Sequence, residues 1–381
     1  MKILVLIDYS TEFSRRLLNG LIEYSQKQEN WSFYRLPLYY KSIYGEEGVI
    51  KWTKDWNPDF IIVQWNYISL ESLNKLQIPI FLQDFKEEGK SFSNITGDYL
   101  GTGIVAAKFF IQRRYNNFAF YGKKDFIWSS QRAEGFRKEV EKIKGNYYSY
   151  ESEGLNEIEW ENNHVLLENW LISLPKPVAI FACDDSFAIQ ITEICKINNI
   201  NIPREIALLG VDNDKLTCNL SNPPISSIKL DVIKGGFKLG EKIKNALNEQ
   251  NFKPFNICIN PLGIKLRKST ENYDIKDKNI QEVLKYLQKN LISPIKIEEL
   301  TSLVSISRRG LEIKFKKEMG VSIYQFILNQ RVELFTTLLI TTDLSIIEIT
   351  DQAGFNDYSS IFRIFKKING CSPIEYRKRF V

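Results

Sequence analysis

Residues 346–367 read IIEITDQAGFNDYSSIFRIFKK, and the spacing of their apolar side chains decides how the end of the chain folds. Apolar residues recur at helical intervals on both sides of Gly354: Ile346, Ile349 and Ala353 before it, and Ile361 and Phe365 after it. Glycine supplies the backbone freedom that a tight turn between two helices requires. The stretch therefore predicts a helix-turn-helix.

The same arrangement occurs once before it in the chain. Leu300 and Val304 indicate a short helix, and Leu311 and Phe315 give the next helix an apolar face that ends at Gly320. We expect an all-α domain at residues 277–381, with a first helix-turn-helix at about 296–318 and a second at about 345–367. A linker is predicted at 271–276.

Positive charge is concentrated in this predicted domain, although the whole chain has a formal net charge of only +5. Residues 305–317 contain five cations and one anion, and residues 361–381 contain six cations and one anion. Either cluster alone fits a solvated helix face. Because two clusters accompany two helix-turn-helix units, we predict a surface that binds DNA phosphates.

The first 270 residues have a different pattern, in which short apolar runs alternate with amphipathic stretches. Runs such as 3–7 and 206–211 are typical of strands in a parallel sheet that is covered on both faces. The strand series restarts near Phe118. We therefore predict two doubly wound α/β lobes, the first made of roughly 1–100 with 228–250 and the second of 101–227 with 251–270.

Polar and aromatic side chains cluster where the predicted strands end, which is where open α/β sheets bind ligands. Carboxylates accept hydrogen bonds from hydroxyl groups, and flat rings pack on the apolar face of a sugar. Each carboxylate alone fits a turn or a helix cap equally well. Their recurrence favours a cleft for a polyhydroxylated ligand, with these residues at its edges: Asp8, Tyr9, Phe13, Trp65, Asp84 and Trp128. Arg15 and Arg16 either bind ligand or are surface charges, and we favour the second role for Arg16.

The composition of the 381 residues excludes several classes of protein. The chain is 44% hydrophobic and 25% charged, with 20 Gly and 12 Pro, which excludes a disordered, collagen-like or low-complexity protein. No apolar run approaches the roughly 20 residues of a membrane span, and the N-terminus lacks the apolar stretch of a secretory signal. Five scattered cysteines without CxxC pairs indicate reduced thiols in the cytoplasm.

The sequence offers little for an enzyme. The single histidine, His164, has no partner that suggests a catalytic triad or a metal pair, and the GxGxxG, Walker and GxSxG motifs do not occur. Asp184 and Asp185 are adjacent and therefore cannot flank a glycosidic bond. The acidic residues at 212–214 lack the further oxygen ligands of a calcium loop. We expect no enzyme activity, no cofactor and no metal.

The C-terminal residues resemble the signature of AraC-type (AraC/XylS) transcriptional regulators. The resemblance covers about 100 residues and is carried by 346–359, Arg363, 365–367, Gly370, 372–373 and 376–377, and in the first unit by 307–311, 315–316, Gly320 and Arg331. It implies that one helix of each unit lies in the major groove of double-stranded DNA.

The upstream residues are similar to the sugar-sensing domain of LacI/GalR regulators and of periplasmic sugar-binding proteins. The phrases that carry this similarity are WSF at 31–33, RAEGF at 132–136, SLPKP at 173–177, ACDD at 182–185, GVDND at 210–214 and NPPISS at 222–227. Within that group the chain looks most like regulators of xylose operons, which join such a sensor to an AraC-type domain. By position, the resemblance implies that Arg132, Asp184 and Asp212 bind the sugar.

The outward faces of the two recognition helices give the candidate DNA-binding residues. They are Ser307, Arg308, Arg309, Glu312, Ile313 and Lys316 in the first unit, and Asp357, Tyr358, Ser359, Phe362, Arg363 and Lys366 in the second. Ile313 stands where the family often has arginine, and it suits a thymine methyl group rather than guanine. Phe362 either faces the groove or packs against the second unit. Phe335 and Thr350 replace smaller residues of the family, so the local packing must be adjusted.

The two resemblances together imply a cytoplasmic transcription regulator, an activator of pentose-use genes. Its expected effector is D-xylose or a related monosaccharide. Its expected partners are double-stranded DNA, RNA polymerase and a second copy of the chain, and we expect no association with a membrane. We expect sugar to close the two lobes and so to change how the DNA-binding domains of a dimer are placed. The alternative is a regulator whose cleft binds another small ligand or a protein partner.

Overall fold

A computed structural model describes residues 1–28, 31–64, 67–83, 92–124, 126–152, 157–248, 254–271, 273–342, 344–355, 357–369 and 371–380. Twelve strands form within these residues: β1 (Lys2–Leu6), β2 (Ser32–Arg35), β3 (Phe60–Gln64), β4 (Ile80–Gln83), β5 (Ser93–Gly97), β6 (Asn117–Lys123), β7 (Asn146–Ser152), β8 (Val178–Ala182), β9 (Ile206–Val211), β10 (Ser226–Leu230), β11 (Asn256–Ile259) and β12 (Pro261–Lys265).

The described helices fall into two groups. Those of the N-terminal domain are α1 (Glu12–Ser25), α2 (Leu38–Trp56), α3 (Leu70–Asn74), α4 (Tyr99–Gln112), α5 (Ile127–Lys142), α6 (Glu157–Ser173), α7 (Asp185–Ile197), α8 (Lys215–Leu220) and α9 (Val232–Asn248). Those of the C-terminal domain are α10 (Lys278–Lys289), α11 (Ile297–Ser302), α12 (Arg308–Met319), α13 (Ile323–Thr341), α14 (Ile346–Gln352), α15 (Tyr358–Asn369) and α16 (Pro373–Phe380).

The strands of the N-terminal domain form two six-stranded sheets, which confirms two doubly wound lobes. The strand order is β11-β5-β4-β3-β1-β2 in the first sheet and β12-β10-β9-β8-β6-β7 in the second. All paired strands of the first sheet are parallel, whereas β12 runs antiparallel to β10 at the edge of the second. The central strands β8 and β9 of the second sheet are fully buried because helices cover both faces, as their continuous apolar sequence predicts.

The assignment of segments to lobes differs from the prediction at two strands. Residues 228–230 were expected in the first lobe, but β10 pairs with β9 in the second sheet. Residues 256–259 were expected in the second lobe, but β11 pairs with β5, with Asn256 opposite Asn94. The chain passes between the lobes after β5, β10 and β11. The predicted boundary at residue 228 falls inside β10, and β11 pairs with a strand far earlier in the chain, which apolar patterning alone does not reveal.

The C-terminal domain is built from two helical units joined by α13. The first unit has its own core around Leu311 and Phe315, and the second has a separate core around Ile361 and Phe365; all four side chains are fully buried. Gly354 has a φ of 78° in the turn before α15, which glycine adopts without strain. The two predicted helix-turn-helix units are therefore present.

The predicted linker packs against both domains. Before it, a short 3-10 helix at Lys268–Thr270 buries Ser269 and Thr270. Within the linker, Tyr273 and Ile275 belong to the core of the first helical unit. The connection between the domains is thus made by buried residues at both of its ends.

Candidate functional site

Arg132 is buried at the carboxyl edge of the second sheet, with only 3% of its surface exposed. Its Nη1 donates a 2.5 Å hydrogen bond to the carbonyl oxygen of Cys183, and its Nη2 lies 3.9 Å from Oδ1 of Asp212. The guanidinium carbon lies 5.4 Å from the ring centre of Tyr99 and 5.6 Å from that of Trp128. Three predicted ligand residues, Trp128, Arg132 and Asp212, therefore lie together.

Asp212 opens a turn at Asp212–Asp214, the 212–214 turn, which follows β9. Asp212 has a φ of 91° and Asn213 a φ of 50°, a conformation that costs energy for residues other than glycine. Two groups of strand β10 accept hydrogen bonds from the backbone of the turn. The amide of Asp212 donates to the carbonyl oxygen of Ile228 at 2.9 Å, and that of Asn213 to Oγ of Ser227 at 2.9 Å.

Arg15 and Arg16 of α1, in the first lobe, bind the 212–214 turn of the second lobe. Nη2 of Arg15 lies 3.1 Å from Oδ2 of Asp214. Nη1 and Nη2 of Arg16 donate to the carbonyl oxygens of Asp212 and Asn213 at 3.2 and 3.1 Å. The interpretation of Arg16 as a surface charge is wrong: its side chain is only 17% exposed because it reaches the opposite lobe.

Glu12 holds both arginines in this position. Its Oε2 lies 3.0 Å from Nη2 of Arg15, and its Oε1 lies 2.7 Å from Nε of Arg16. Arg15 also donates to the carbonyl oxygens of Tyr9 and Ser10. One carboxylate and one helix turn therefore orient two guanidinium groups toward the second lobe.

Two of the predicted ligand carboxylates form local turn and cap hydrogen bonds. Oδ1 and Oδ2 of Asp8 accept from the amide and the hydroxyl of Ser10 at 2.8 and 2.7 Å. Oδ1 of Asp184 caps α7, accepting from the amide of Phe187 at 2.9 Å and from the hydroxyl of Ser186 at 2.6 Å. A ligand contact by either carboxylate stays a prediction.

The remaining cleft candidates have mixed placements. Phe13 is buried in the apolar core of the N-terminal domain. Tyr9 is partly buried beneath Arg35, whose guanidinium carbon lies 4.7 Å from the ring centre, and burial raises the pKa of Tyr9 to about 12. A ligand contact by Tyr9 or Phe13 stays a prediction. Trp65 and Asp84 lie outside the described residues.

Asp185 was not predicted as a site residue, although it supports the 212–214 turn. It is 2% exposed, and its Oδ2 accepts from the amide of Asp214 at 2.7 Å. Burial raises the pKa of this carboxyl well above its usual range. A Cβ at Gly210 would lie 2.2 Å from Oδ1 of Asp185, so a side chain there would displace this carboxylate. In the sequence, the segments ACDD at 182–185 and GVDND at 210–214 contain Asp185 and its partner Asp214, and they could have indicated this contact.

The first recognition helix, α12, presents a mixed surface to solvent. Ser307 caps it by accepting from the amide of Gly310 at 3.2 Å. Arg308 is exposed but lies 3.1 Å from Glu312, and Ile313 is 60% exposed. The remaining candidates of this unit, Arg309 and Lys316, are also exposed. Base and phosphate contacts by these residues stay predictions.

The second recognition helix, α15, begins with a cap formed by Asp357. Its carboxylate accepts from the amides of Ser359 and Ser360 at 3.1 and 2.8 Å, so Asp357 orders the helix start. The rings of Tyr358 and Phe362 lie 5.3 Å apart, and Phe362 is partly buried. The other two candidates, Arg363 and Lys366, are exposed.

One arginine in each unit ties the helices together through backbone carbonyl groups. Arg331 donates to the carbonyl oxygens of Leu291 and Ser293, both at 2.8 Å. Arg377 donates in the same way to Leu339 at 3.0 Å and Leu344 at 2.8 Å.

The structure also accommodates the two larger residues of the second unit. Phe335 is fully buried against Phe365, with ring centres 5.5 Å apart. Oγ1 of Thr350 donates to the carbonyl oxygen of Ile346 at 2.7 Å, which satisfies its buried hydroxyl.

The described part of the chain contains no group of three His, Cys, Asp or Glu side chains placed to hold a metal ion. Among the helices described, none has the length and apolar character needed to cross a membrane.

Comparison with protein families finds two domains in the chain. Residues 107–270 match a periplasmic binding protein-like domain, and residues 300–379 match a helix-turn-helix domain. The chain is also similar over almost its whole length to a curated protein, the xylose operon regulatory protein of Escherichia coli (strain K12). The two are 27% identical over 99% of this chain and 96% of that protein. The protein of the same name from Haemophilus influenzae is 28% identical over 75% of each chain.

Solved structures show the same architecture. A xylose-binding transcription activator superposes with a TM-score of 0.60 at 25% identity, covering 99% of this chain and 97% of that one. A LacI family transcriptional regulator from Enterococcus faecalis, with bound ribose, superposes with a TM-score of 0.58 at 17% identity. It covers 71% of this chain and 98% of its own, and shows the fold of the N-terminal domain alone.

Proposed function

We propose that this chain, a helix-turn-helix transcription regulator with a periplasmic binding protein-like sensor domain, is an activator controlled by D-xylose or a closely related pentose. The position of Arg132, which is buried near two aromatic rings and beside Asp212, supports this proposal most directly. The relatives that match the whole chain are named as xylose operon regulators, which supports xylose as the first sugar to test.

The chemistry of the cleft suits a small polyhydroxylated ligand. Arg132 offers N–H donors and Asp212 offers a carboxylate acceptor, so one sugar can donate and accept hydrogen bonds at the same place. The ring of Trp128 beside them presents a flat apolar surface of the kind that packs on the C–H face of a sugar. Arg132 is buried, and the low local dielectric of a buried site strengthens these bonds.

The C-terminal domain supports binding to one face of the DNA duplex. The 19 residues of α13 span about 28 Å, and helices that enter successive major grooves are roughly 34 Å apart. We propose that α12 and α15 enter such grooves, that the chain acts as a cytoplasmic homodimer, and that RNA polymerase is recruited beside it.

Calorimetric titration of the full chain with D-xylose tests the effector. We expect saturable heat with D-xylose and weaker heat with D-ribose, L-arabinose and D-glucose, because the cleft must match the arrangement of hydroxyl groups. The DNA partner is tested with duplexes selected by the chain from a random library, followed by footprinting with and without sugar. Absence of heat with every pentose and hexose would contradict the sugar assignment.

A different small ligand is the second candidate. It is favoured by one observation: the carboxylates of Asp8 and Asp184 already accept hydrogen bonds within their own turn and cap, which leaves less acceptor capacity for a sugar. A thermal-shift screen of cell metabolites distinguishes the two candidates. Stabilisation by a non-sugar alone would favour the second.

A further inference from the structure

The 212–214 turn is contacted both by the first lobe and by the residue that leads into the linker. From the first lobe, Arg16 donates to the carbonyl oxygens of Asp212 and Asn213. From just after the end of β12, Nη2 of Arg267 donates a 2.8 Å hydrogen bond to Oδ1 of Asn213. Asn213 is 5% exposed and is the residue that both arginines share.

Arg267 lies shortly before the linker and is held by hydrogen bonds to the second lobe. Its Nη1 donates to the carbonyl oxygen of Ile225 at 2.8 Å, and its own amide donates to Oγ of Ser226 at 2.8 Å. It immediately precedes the 3-10 helix at Lys268–Thr270. A shift of Asn213 therefore moves a hydrogen-bond partner of the residue that starts the connection to the DNA-binding domain.

The 3-10 helix continues this connection through buried hydroxyl groups. Oγ of Ser269 accepts from the amide of Ser226 at 2.8 Å and donates to the carbonyl oxygen of Leu208 at 2.6 Å. Oγ1 of Thr270 lies 2.6 Å from Oγ of Ser226. Three residues later the chain enters the core of the first helix-turn-helix unit at Tyr273.

The backbone of the turn is in a strained conformation that its contacts maintain. Two consecutive residues with positive φ are held by Arg16, by Ser227 and by the amide contact of Asp214 with Asp185. Release of the Arg16 contacts would let the turn relax toward an ordinary conformation. Sugar bound to Arg132 lies beside the same turn, because Asp212 is its first residue.

From this geometry we infer that Asn213 and Arg267 are positioning residues that transmit movement of the first lobe, through the 212–214 turn, to the DNA-binding domain. The inference rests on the proposed function for the effector, but the mechanical link between the lobe and the linker does not depend on which ligand moves the lobe. Its physical warrant is one strained turn that Arg16 and Arg267 both bind.

Hydrogen exchange in the absence of any ligand tests the link directly. Arg16→Gln removes two donors from the first lobe, and we expect faster amide exchange in peptides covering the 212–214 turn and residues 264–276. Arg137→Gln is the matched control, because Arg137 is half exposed on α5 and contacts Glu141 at 3.8 Å. Faster exchange at the turn without any change at 264–276 would overturn the inference.

A second measurement uses D-xylose and a selected DNA duplex as probes. The coupling is the ratio of the DNA dissociation constants with and without sugar, and allosteric proteins typically show about 5- to 150-fold. Asn213→Gly keeps positive φ accessible and deletes the amide oxygen, whereas Arg267→Gln deletes its partner. We expect each variant to reduce the ratio to about twofold or less.

The outcomes separate the inference from the proposed function. If wild-type chain neither binds D-xylose nor changes its DNA affinity, the effector assignment fails, and the exchange experiment alone decides the link. If the wild type responds and both variants keep the full ratio, the link is refuted. Loss of D-xylose binding in both variants, measured by calorimetry, would place these residues in the ligand site and also refute it.

Discussion

The backbone amide of Asp274 donates a 3.0 Å hydrogen bond to the carbonyl oxygen of Arg113. This bond joins the linker to the end of α4, whose closest helix partner is α5 of the second lobe. The guanidinium of Arg113 also lies 3.6 Å from the ring centre of Phe109 and 5.2 Å from that of Tyr273. The DNA-binding domain is therefore attached to the second lobe, which gives movement of the first lobe a route to it through that lobe.

Gly320 should be sensitive to substitution because of its backbone conformation. Its φ is 72°, which a residue with a side chain adopts only with strain. We expect Gly320→Ala to lower the free energy of unfolding by about 1 kcal/mol for this reason. A Cβ there would lie 2.4 Å from Nη2 of Arg114 in the second lobe, but this atom ends a flexible side chain that can move aside. The loss should therefore be the same in an Arg114→Ala background. Urea denaturation of the wild type, the two single variants and the double variant measures this, and a loss that disappears without Arg114 would mean that the contact rather than the backbone is responsible.

Arg132→Gln should weaken binding of D-xylose strongly. The variant removes a charged donor from a buried site, and such hydrogen bonds are worth about 1.5–3 kcal/mol, or about 10- to 150-fold in affinity. Calorimetry measures the effect, with Arg137→Gln on the same helix as control. Because Arg132 is buried, Trp128→Ala is the second variant in case the first fails to fold. Unchanged affinity in a folded variant of each kind would remove this cluster from the ligand site.

Arg363→Ala should weaken binding to selected DNA by about 1–3 kcal/mol if Arg363 contacts a base. The side chain is exposed on α15, and its only described hydrogen bond, at 3.4 Å, goes to the carbonyl oxygen of Ser359. Lys314→Ala is the control: Lys314 is also a cation of this domain, but it pairs with Asp277 at 2.8 Å. Fluorescence anisotropy against the same duplex compares them. Equal losses would indicate general charge effects rather than readout at Arg363.

Asp185 should make stability depend on pH in one direction. Because its folded pKa is raised by burial above the unfolded value near 3.8, the folded state binds the proton more tightly. Its contribution is fully favourable below the unfolded pKa and is lost as the pH rises through the folded pKa. The difference in Tm between Asp185→Asn and the wild type should therefore increase in favour of the variant as the pH rises. If the difference in Tm between Asp185→Asn and the wild type stays constant as the pH rises from the unfolded pKa, the pKa of Asp185 is not raised in the folded state.

The sequence predicted the elements whose periodicity is unbroken. Ile206–Val211 is apolar at nearly every position and is a fully buried strand, and Leu311 and Phe315 face inward as their spacing requires. Edge strands were harder, because β2 exposes most of its side chains and its sequence carries no alternating pattern. The lobe of β11 was assigned wrongly because this strand pairs with the distant β5, and that of β10 because the predicted boundary at residue 228 fell inside the strand.

The site residues that could be predicted are those that belong to a recognisable sequence motif. Arg132 and Asp212 follow from phrases of the sequence, and the structure brings their side chains within 3.9 Å. Arg16 was misassigned because a helix pattern shows which face is polar but not what lies opposite. Its partners are backbone carbonyl groups nearly 200 positions away, and the sequence carries no signal for such an acceptor.

Because the chain crosses between the lobes three times, the protein can be divided into fragments or fused to other domains at few positions. Each sheet takes strands from separated segments, since β11 completes the first sheet after the chain has built most of the second. Neither lobe can therefore be cut out as one continuous piece, and a cloning boundary at residue 100 would remove a strand from its sheet. An exchange of effector specificity by gene fusion would have to transfer the entire sensor, with the junction placed after residue 270.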